Sequence, residues 1–320
     1  MSDSLAIGID LGATKIAAAL ITCTGEALAA EQIETNAIVG FEAVADRVAS
    51  LIESMHESAH GPIAGIGIGT PGQVDLGTGM VKDAVNLGWQ TVSLASQVKA
   101  RLKREMPIWI QKDTNASALG EYVCGAARNC SDFVYLSLGS GLGSAAMANG
   151  HLINGATNGS DLGHWVIDPI RGRLCSCGLR GCAETVVSGP GLLSVLRDLR
   201  QAQPGQSGQV EQSDGTTSAV IEAARSGDPI AHAALAKVAE WLGVVMAACV
   251  GVLNPLKIVL GGGLGLAAFD WLAPGAEREL RRRVLPKGHA HLKIVRSEVA
   301  SSAIGAACLV WSDQRPVTLE

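Results

Sequence analysis

The sequence predicts an α/β fold with two domains, and three observations support this prediction. The chain has 320 residues, which is more than a single hydrophobic core usually serves. Short apolar segments of strand length alternate with longer segments of helical periodicity, as in α/β proteins. The segments 5–21 and 133–153 both show a strand, a glycine-rich turn and a second strand. This repetition suggests a weak internal duplication.

The composition is that of a folded protein with an aliphatic core. Apolar residues make up 48% of the chain, charged residues 17% and aromatic residues 3%. The net charge of −5 argues against a nucleic-acid binder, and the arginines at 278–283 are expected on a solvated helix face. The first residues lack the pattern of a signal peptide, and no uncharged apolar stretch reaches the roughly 18 residues of a membrane span. We therefore expect a cytoplasmic protein that binds neither nucleic acid nor a membrane.

The first part of the chain is predicted to begin with the hairpin at 5–21, followed by a helix over 43–59. A buried strand over 64–72 ends in a Pro-Gly turn, and a short strand over 107–113 precedes a helix over 115–127.

The second part is predicted to begin with the hairpin at 133–153, followed by a helix over 189–202. The polar segment 202–218 is expected to be an exposed loop, and one long helical region follows over about 219–252. A buried strand then runs into a glycine turn over 256–265. A late strand over 291–299 and a closing helix over 301–311 complete the chain.

The first candidate motif is DLGATK at 10–15, which directly follows an apolar strand. Gly12 lets the turn approach a phosphate closely, and backbone N–H groups and the Thr14 hydroxyl can bind its oxygens. Asp10 could hold a magnesium ion directly or through water, because Mg²⁺ prefers oxygen ligands. A purely structural hairpin is the alternative interpretation.

The second motif is GSGLG at 139–143, again between two apolar strands. No Lys-Ser/Thr pair follows, so it is not a Walker loop, and the next segment is predicted as a strand, so it is not a Rossmann fingerprint. We interpret it as a second phosphate clamp, with a glycine-rich hairpin as the alternative. A third glycine run at 261–263 ends a buried strand and fits a loop under a nucleotide.

The most specific pattern is His164 followed by Cys175, Cys177 and Cys182. Three thiolates and one imidazole complete a tetrahedral zinc site with no open position, which predicts a structural rather than a hydrolytic zinc. A redox pair or four unrelated buried residues are the alternatives. The five other cysteines are expected to be small core residues or inert thiols; they are Cys23, Cys124, Cys130, Cys249 and Cys308.

Lys112 and Asp113 stand at a predicted strand-to-helix junction. The carboxyl ends of strands are where active sites of α/β proteins collect. A carboxylate at this place could accept a proton from a hydroxyl as its oxygen attacks phosphorus. A helix N-cap is an equal alternative for Asp113.

Together these segments resemble the ROK (repressor, open reading frame, kinase) family of sugar kinases and repressors. The resemblance spans nearly the whole chain and rests on DLGATK (10–15), GTPGQVD (69–75), NLGW (86–89), KDTNASALGE (112–121), GSGLG (139–143), DLGHWVIDP (161–169), CSCGLRGCAE (175–184) and IVLGGGL (258–264). It implies two actin-like (ribonuclease H-like) α/β domains with a sugar cleft between them. The smaller domain is expected at 1–112 plus 303–320, and the larger domain, with the zinc knuckle, at 113–302.

The resemblance also implies roles for individual residues. By this resemblance, Asp113 stands at the position of the general base for the phosphate-accepting hydroxyl. His164 stands at the position of a residue that ligates zinc with one ring nitrogen and faces the sugar with the other. The other implied sugar-binding residues are Gly72, Lys112, Asp161 and Glu184. The implied ATP- and phosphate-binding residues are Asp10, Gly12, Thr14, Lys15, Gly139, Ser140, Gly141, Gly143, Gly262 and Gly263.

Three positions depart from the family pattern. Lys112 replaces the Asn that commonly precedes the catalytic Asp and touches the sugar. Asp161 replaces a Glu and is one methylene shorter, whereas Ser140 replaces a Thr and keeps the hydroxyl. We expect the first two changes to affect sugar identity more than catalysis.

The resemblance implies ATP-dependent phosphorylation of a hexose hydroxyl, with glucose to glucose 6-phosphate as the first expectation. The implied cofactors are a structural Zn²⁺ and Mg²⁺ with ATP, and the expected assembly is a homodimer or homotetramer. An N-acetylhexosamine or fructose kinase is the nearest alternative. A sugar-binding pseudokinase is less favoured, because Asp113 and the phosphate loop are intact. A ROK repressor is also less favoured, because only nine residues precede Asp10, too few for a DNA-reading module.

Overall fold

The computed structural model describes residues 4–156, 159–202 and 215–318. Its strands, in chain order, are β1 (Leu5–Leu11), β2 (Lys15–Thr22), β3 (Ala27–Glu34), β4 (Ile63–Thr70), β5 (Gln73–Val74), β6 (Val81–Ala84), β7 (Trp89–Val92), β8 (Ile108–Lys112), β9 (Phe133–Leu138), β10 (Leu142–Ala148), β11 (His151–Leu152), β12 (Lys257–Gly261) and β13 (Lys293–Arg296). Its α-helices are α1 (Phe41–Glu57), α2 (Leu94–Lys99), α3 (Asp113–Cys124), α4 (Gly189–Ala202), α5 (Thr217–Arg225), α6 (Pro229–Leu253), α7 (Gly262–Ala267), α8 (Phe269–Arg283) and α9 (Ser302–Cys308).

The chain divides into two compact units, each with its own main sheet, and the first also contains a small three-stranded sheet, β5-β6-β7. The first comprises Met1–Ser131, Gly150–Gly159 and Glu298–Glu320, and the second comprises Asp132–Asn149 and Ser160–Ser297. Helix α3 falls in the first unit, where it packs against α9. This division does not fall at residue 112, and the expected domain boundary stays a prediction.

The sheet of the first unit has the strand order β3-β2-β1-β4-β8. Strands β1 and β2 are antiparallel, which confirms the predicted hairpin, and β4 pairs in parallel with both β1 and β8. Two glycines let α9 lie directly on this sheet. A Cβ added at Gly8 would lie 1.9 Å from the carbonyl oxygen of Ala303, and one at Gly67 would lie 1.8 Å from that of Ala306. These glycines therefore fix how closely helix and sheet can pack.

In the sheet of the second unit, β10, β9, β12 and β13 are neighbours in that order. Strands β9 and β10 are antiparallel, and Leu138 pairs with Leu142 beside the turn, which confirms the second predicted hairpin. Strand β12 is parallel to β9 and β13. Helix α6 packs against α4, α5 and α8.

The prediction of one helical region over 219–252 is wrong, because two helices occupy this part of the chain. Helix α5 ends at Arg225, and Asp228 then caps α6, accepting hydrogen bonds from the N–H groups of Ile230 and Ala231. Pro229 occupies the first helical turn, where its missing N–H costs nothing. The Asp-Pro pair at 228–229 is a typical sequence signal for the start of a helix. Of the predicted loop at 202–218, residues 203–214 lie outside the described residues.

Helix α6 is long and apolar enough to cross a membrane, by length and composition only. More than half of its most apolar 18-residue window (56%) is buried inside the protein. The core helix of a globular domain meets the same criteria, so this feature is weak evidence for a membrane span.

The arginine-rich segment lies on α8, as expected, and faces solvent. Arg281 pairs with Glu277, and Arg283 pairs with Glu279, both one helical turn away. These pairs offset the positive charge within the helix itself.

Candidate functional site

In the first unit, the carboxyl ends of neighbouring strands bring together residues that are far apart in sequence. Asp10 stands near the end of β1, and Asp113 begins α3 directly after β8. Gly69, near the end of β4, lies between them: a Cβ there would be 3.5 Å from the Cα of Asp113. The sheet thus places two carboxylates at one edge, as the sequence predicted for Asp113.

The surroundings of Asp10 make its ionisation unfavourable. Burial, and then the nearby negative charge of Asp113, raise its pKa from 3.8 to about 6, against the opposing effects of Lys15 and a hydrogen bond with Ser302. A divalent cation would offset this cost because it favours the ionised carboxylate. Asp10 therefore fits the predicted role of a magnesium-binding residue.

The first glycine turn is held by its own backbone and by a residue that the sequence analysis missed. The Gly12 N–H donates to the Lys15 carbonyl oxygen at 2.9 Å, and the fully buried Thr35 hydroxyl donates to the Gly12 carbonyl oxygen at 2.6 Å. The Thr35 N–H also donates to the Thr14 carbonyl oxygen at 3.0 Å. Thr35 follows an exposed strand that shows no periodicity, so no local signal indicated it.

Asp113 also interacts with the helix that it begins. Its Oδ1 accepts a hydrogen bond from the Thr114 N–H at 2.6 Å, and Lys112, in the N-cap position, makes no side-chain cap bond. The bond to the first helical turn is close to the capping role that was the alternative interpretation. It holds the carboxylate at the edge of the sheet and does not conflict with a role as base.

A buried amide network supports the same edge. The Gln111 amide oxygen accepts from the Lys112 N–H at 2.8 Å and from the Asn115 side-chain amide at 3.2 Å. The side-chain amides of Gln111 and Asn115 both donate to the Asn154 side-chain oxygen, at 3.0 and 3.1 Å. Gln111 and Asn115 are each 2% exposed. This network fixes the backbone on both sides of Asp113.

Gly72 occupies a turn that only glycine fits. Its φ is +93°, and an added Cβ would lie 2.6 Å from the carbonyl oxygen of Lys82. Its predicted contact with the sugar through backbone stays a prediction.

In the second unit, the second and third glycine motifs lie against each other. Gly262 has a φ of +76°, and a Cβ there would lie 2.4 Å from the carbonyl oxygen of Leu138, directly before the turn at 139–143. Helix α7 begins at once at Gly262, so this motif is the start of a helix rather than a longer loop. The Gly139 carbonyl oxygen accepts from the N–H of Gly189, the first residue of α4.

Glu184 links the second glycine turn to the segment of the predicted zinc ligands. Its Oε2 accepts a hydrogen bond from the Leu142 N–H at 3.0 Å, and its own N–H donates to the Gly163 carbonyl oxygen at 2.9 Å. A Cβ added at Gly141 would lie 2.3 Å from this Oε2. One carboxylate oxygen therefore lies directly against the turn, a contact that sequence reasoning missed because the hydrogen-bonded partners are 42 positions apart.

The four predicted metal ligands come together, as their spacing predicted. The candidate ligand atoms of His164, Cys175, Cys177 and Cys182 all lie within 4.8 Å of one another. Nδ1 of His164 is 3.6 Å from Sγ of Cys175, and the Sγ atoms of Cys177 and Cys182 are 3.6 Å apart. Typical zinc bond lengths give tetrahedral edges of roughly 3.6 Å between N and S and 3.8 Å between two S atoms.

The chemistry of this cluster also fits zinc. Burial, and then the bonds with the Cys177 and Cys175 thiols, raise the pKa of Cys182 to about 12. Against the opposing effect of burial, hydrogen bonds from the Leu179 backbone and from the Cys175 and Cys182 thiols lower the pKa of Cys177, so the cluster ionises first at Cys177. A bound metal would supply the positive charge that ionisation of the buried Cys182 thiol needs. With Nδ1 of His164 turned toward the sulfurs, Nε2 is the nitrogen left for the predicted sugar contact.

The remaining cysteines differ in their surroundings. Cys130, Cys249 and Cys308 are buried, which confirms them as core residues, and burial raises the pKa of Cys249 to about 12. Cys23 and Cys124 are partly exposed, and a hydrogen bond with the Cys308 thiol lowers the pKa of Cys124. For Cys23 and Cys124, inertness stays a prediction.

Two sheet-containing units, paired glycine hairpins and a cysteine knuckle together define an actin-like ATPase fold of the sugar-kinase and repressor class. Residues 6–313 match the ROK family, and the chain belongs to that family. It is 32% identical over 281 residues to a glucokinase from Halalkalibacterium halodurans, covering 86% of this chain and 84% of that protein. It is 33% identical over 309 residues to a xylose repressor from Caldicellulosiruptor bescii, covering 95% of this chain and 76% of that protein.

The fold is also that of solved ROK structures. A ROK glucokinase from Streptomyces griseus, crystallised with glucose and AMPPNP, superposes with a TM-score of 0.79 at 28% identity. The match covers 96% of this chain and 99% of that one. This likeness confirms the predicted actin-like α/β fold, whereas the individual site residues stay predictions.

Proposed function

We propose that the protein transfers the γ-phosphoryl group of ATP to a hexose hydroxyl, with glucose, converted to glucose 6-phosphate, as the first substrate. The observation that carries this proposal is the pair of carboxylates at one sheet edge, Asp10 near the end of β1 and Asp113 directly after β8. A magnesium-binding acid beside a candidate base is what phosphoryl transfer to a hydroxyl requires. The similarity to a glucokinase over most of both chains supports the same reaction.

In the proposed reaction, Asp113 accepts the proton of the attacking hydroxyl. The hydroxyl oxygen forms a bond to the γ-phosphorus, the bond between that phosphorus and the β–γ bridging oxygen breaks, and ADP leaves with its electron pair. Backbone N–H groups of the turns at 11–15 and 139–143 stabilise the charge on the phosphate oxygens. Gly262 and Gly263 contribute to the adenosine site.

The proposed metals have separate tasks. Asp10 would hold Mg²⁺, which supplies charge neutralisation for the phosphates. His164 and the three cysteines of the knuckle would hold Zn²⁺, which supplies rigidity rather than chemistry because a four-ligand site has no open position. The knuckle would hold His164 as a ligand, and it would position Glu184 because Glu184 follows Cys182 by two residues. In this way it orients two of the proposed sugar ligands.

Hexose specificity depends on residues with unusual side chains for this family. Lys112 donates hydrogen bonds only, and Asp161 is shorter than the usual Glu, so their proposed contacts differ from those of a glucose-tuned relative. An N-acetylhexosamine or fructose is the alternative substrate. The proposed cytoplasmic location and assembly as a homodimer or homotetramer stay predictions.

A sugar-binding regulator without kinase activity is the second candidate function. The similarity to a xylose repressor over 95% of this chain favours it. This candidate predicts hexose binding with no ATP turnover.

A coupled assay of ADP release tests the proposal, with Mg-ATP and a panel of glucose, mannose, fructose, N-acetylglucosamine and N-acetylmannosamine. Asp113→Asn keeps the side-chain size and removes the base, so kcat should fall by at least about two orders of magnitude. Glucose binding, measured by calorimetry, should persist in this variant.

Two outcomes would contradict the proposal. Near-normal kcat in a folded Asp113→Asn variant would exclude Asp113 as the base. Hexose binding by the parent protein without ADP release would favour the regulator. Asp132→Asn serves as a control carboxylate in the second unit: Oδ1 of Asp132 accepts a hydrogen bond from the Asn149 N–H at 2.9 Å, and Asp132 lies outside the proposed site.

A further inference from the structure

The hydroxyl of Ser144 is buried directly beside a proposed sugar-binding residue. Ser144 lies in β10, one residue after the second glycine turn, and its exposure is 0%. Its Oγ donates a hydrogen bond to the Ser160 carbonyl oxygen and accepts one from the Leu162 N–H at 2.8 Å. These two backbone groups stand immediately before and after Asp161. One hydroxyl thus holds the backbone on both sides of that carboxylate.

The backbone that Ser144 holds is in an unfavourable conformation. Ser160 has a φ of +67°, in the left-handed region that residues other than glycine seldom adopt. Such a conformation persists only where the surrounding structure enforces it. The bond from Ser144 to the Ser160 carbonyl oxygen is a direct restraint on this residue from outside the segment, in addition to a local bond of 3.1 Å from the Leu162 N–H to the same oxygen, and it acts where the chain enters Asp161.

The far end of the same segment is fixed independently of Ser144. The Glu184 N–H donates to the Gly163 carbonyl oxygen, and the Ala183 N–H donates to the Trp165 carbonyl oxygen, each at 2.9 Å. A Cβ added at Gly163 would lie 2.2 Å from the Leu142 carbonyl oxygen, so Gly163 rests directly on β10. The segment 160–165 is therefore anchored by the metal-ligand region at one end and by Ser144 at the other. Asp161 lies at the Ser144 end.

We propose that Ser144 is a positioning residue that determines hexose specificity through Asp161; this inference rests on the proposed function. An Asp carboxylate reaches about 1.5 Å less far than Glu, and hydrogen bonds are useful only between about 2.7 and 3.2 Å. A shorter side chain can reach a sugar hydroxyl only if its backbone is well placed. The backbone at residue 161 must therefore be positioned accurately for the carboxylate to form this hydrogen bond. By clamping Ser160 and Leu162, Ser144 sets which sugar hydroxyl the carboxylate reaches.

Ser144→Ala tests this inference, because it removes both hydrogen bonds and almost no volume. We expect the KM for glucose to rise about tenfold, as for loss of one well-formed bond to substrate. The kcat and the KM for ATP should stay within about twofold. The ratio of kcat/KM for glucose over mannose should fall at least about threefold, because a loose Asp161 discriminates epimers poorly.

A double-mutant cycle separates positioning from a general structural effect. If Ser144 acts through Asp161, then Ser144→Ala should change neither the glucose KM nor the epimer ratio in an Asp161→Ala background. Ser312→Ala is the matched control. The Ser312 hydroxyl likewise donates to a carbonyl oxygen, that of Leu309, and accepts from an N–H, that of Gln314, but it lies in the first unit near the C-terminus. This control should leave all sugar parameters unchanged.

The possible results are distinguishable from failure of the proposed function. If the parent protein phosphorylates no hexose, the proposed function fails first. If the parent is active and folded Ser144→Ala keeps the parent glucose KM and epimer ratio, this inference alone is overturned. It is also overturned if Ser144→Ala has its full effect without Asp161. Should Ser144→Ala not fold, Ser144→Cys, which replaces the hydroxyl with a somewhat larger thiol that hydrogen-bonds only weakly, should show the same direction of change.

Discussion

Both glycine turns connect two antiparallel strands, yet different groups hold them. The turn at 11–15 is closed by its own backbone and by the Thr35 hydroxyl, and a buried acid, Asp10, stands at its base. The turn at 139–143 is bonded to the start of α4 and to the Glu184 carboxylate. Glu184 comes two residues after a candidate zinc ligand, so the second turn is connected to the metal knuckle within its own unit.

The difference indicates a division of work between turns that an internal duplication would have made alike. In the proposed reaction the first turn provides charge, because its acid would accept a divalent cation. The second turn would provide fixed N–H groups, and its geometry depends on a carboxylate that we propose also binds sugar. Perturbing Asp10 should therefore change the electrostatics of the first unit, whereas perturbing the knuckle should change the second turn.

The largest expected effect is on stability and concerns Asp10→Asn. In the folded protein the pKa of Asp10 is raised from 3.8 to about 6, so its ionisation is unfavourable relative to the unfolded chain. Parent stability should fall as pH rises from about 4 to 6 and then level off. Asn carries no charge, so the variant should be more stable above pH 6 by at most roughly 3 kcal/mol, while kinase activity falls.

Urea unfolding at pH 4.5 and pH 8 measures this effect, and Asp75→Asn is a control of opposite sign. Hydrogen bonds from the Thr78 and Gly77 N–H groups lower the pKa of Asp75, so its ionised form stabilises the fold at high pH. Asp75→Asn should be less stable than the parent at pH 8, and this difference in the free energy of unfolding should become smaller as the pH falls. The stability of each variant is compared with that of the parent at the same pH. If Asp10→Asn gains less stability over the parent at pH 8 than at pH 4.5, the raised pKa of Asp10 is contradicted.

The second expected effect concerns the metal and Cys177→Ala. Loss of one thiolate should abolish stoichiometric zinc binding, and glucose affinity should fall about 10- to 100-fold because His164 and Glu184 lose their support. Metal analysis and calorimetry measure the two effects on one sample. Cys249→Ala, which removes a buried thiol from α6 in the same unit, should keep both zinc and glucose affinity. Full glucose affinity in metal-free Cys177→Ala would show that knuckle and sugar ligands are independent.

Sequence patterns predicted those parts of the fold whose signals are local. The two hairpins, α1, α3 and α4, and the strands β4, β8, β9 and β12 all follow from apolar periodicity with glycine or polar boundaries. Strand β3 was missed because it is mostly exposed and its burial does not alternate. The small β5-β6-β7 sheet was missed because its strands have two to four residues, too few to show a period.

The same distinction applies to the candidate site. The four metal ligands were predictable because three of them fall within eight residues of one another, with a fixed ligand chemistry. The supporting contacts were not: Thr35 with Gly12, Ser144 with Ser160, and Glu184 with Leu142 join residues 16 to 42 positions apart. Serine, threonine and glutamate are common at surfaces, so only the fold identifies these as buried supports.

The smallest expected effect tests the contact between Glu184 and the second turn, through Gly141→Ala. The new methyl group would lie 2.3 Å from Oε2 of Glu184, which must move, and in moving it loses its bond to the Leu142 N–H. The obstructing atom ends a flexible side chain, so thermal stability should change little while the glucose KM rises about three- to tenfold. Steady-state kinetics with a parallel melting curve measures both. Gly251→Ala, where an added Cβ meets nothing within 4 Å, should leave the glucose KM unchanged, and it should raise the melting temperature slightly because alanine favours the helix α6 in which it lies. In a Glu184→Ala background the Gly141→Ala change should have no further effect on glucose KM, because the group that it displaces is gone. An undiminished effect in that background would mean that Gly141 acts by its own approach to the phosphate, and the two turns would then work in the same way after all.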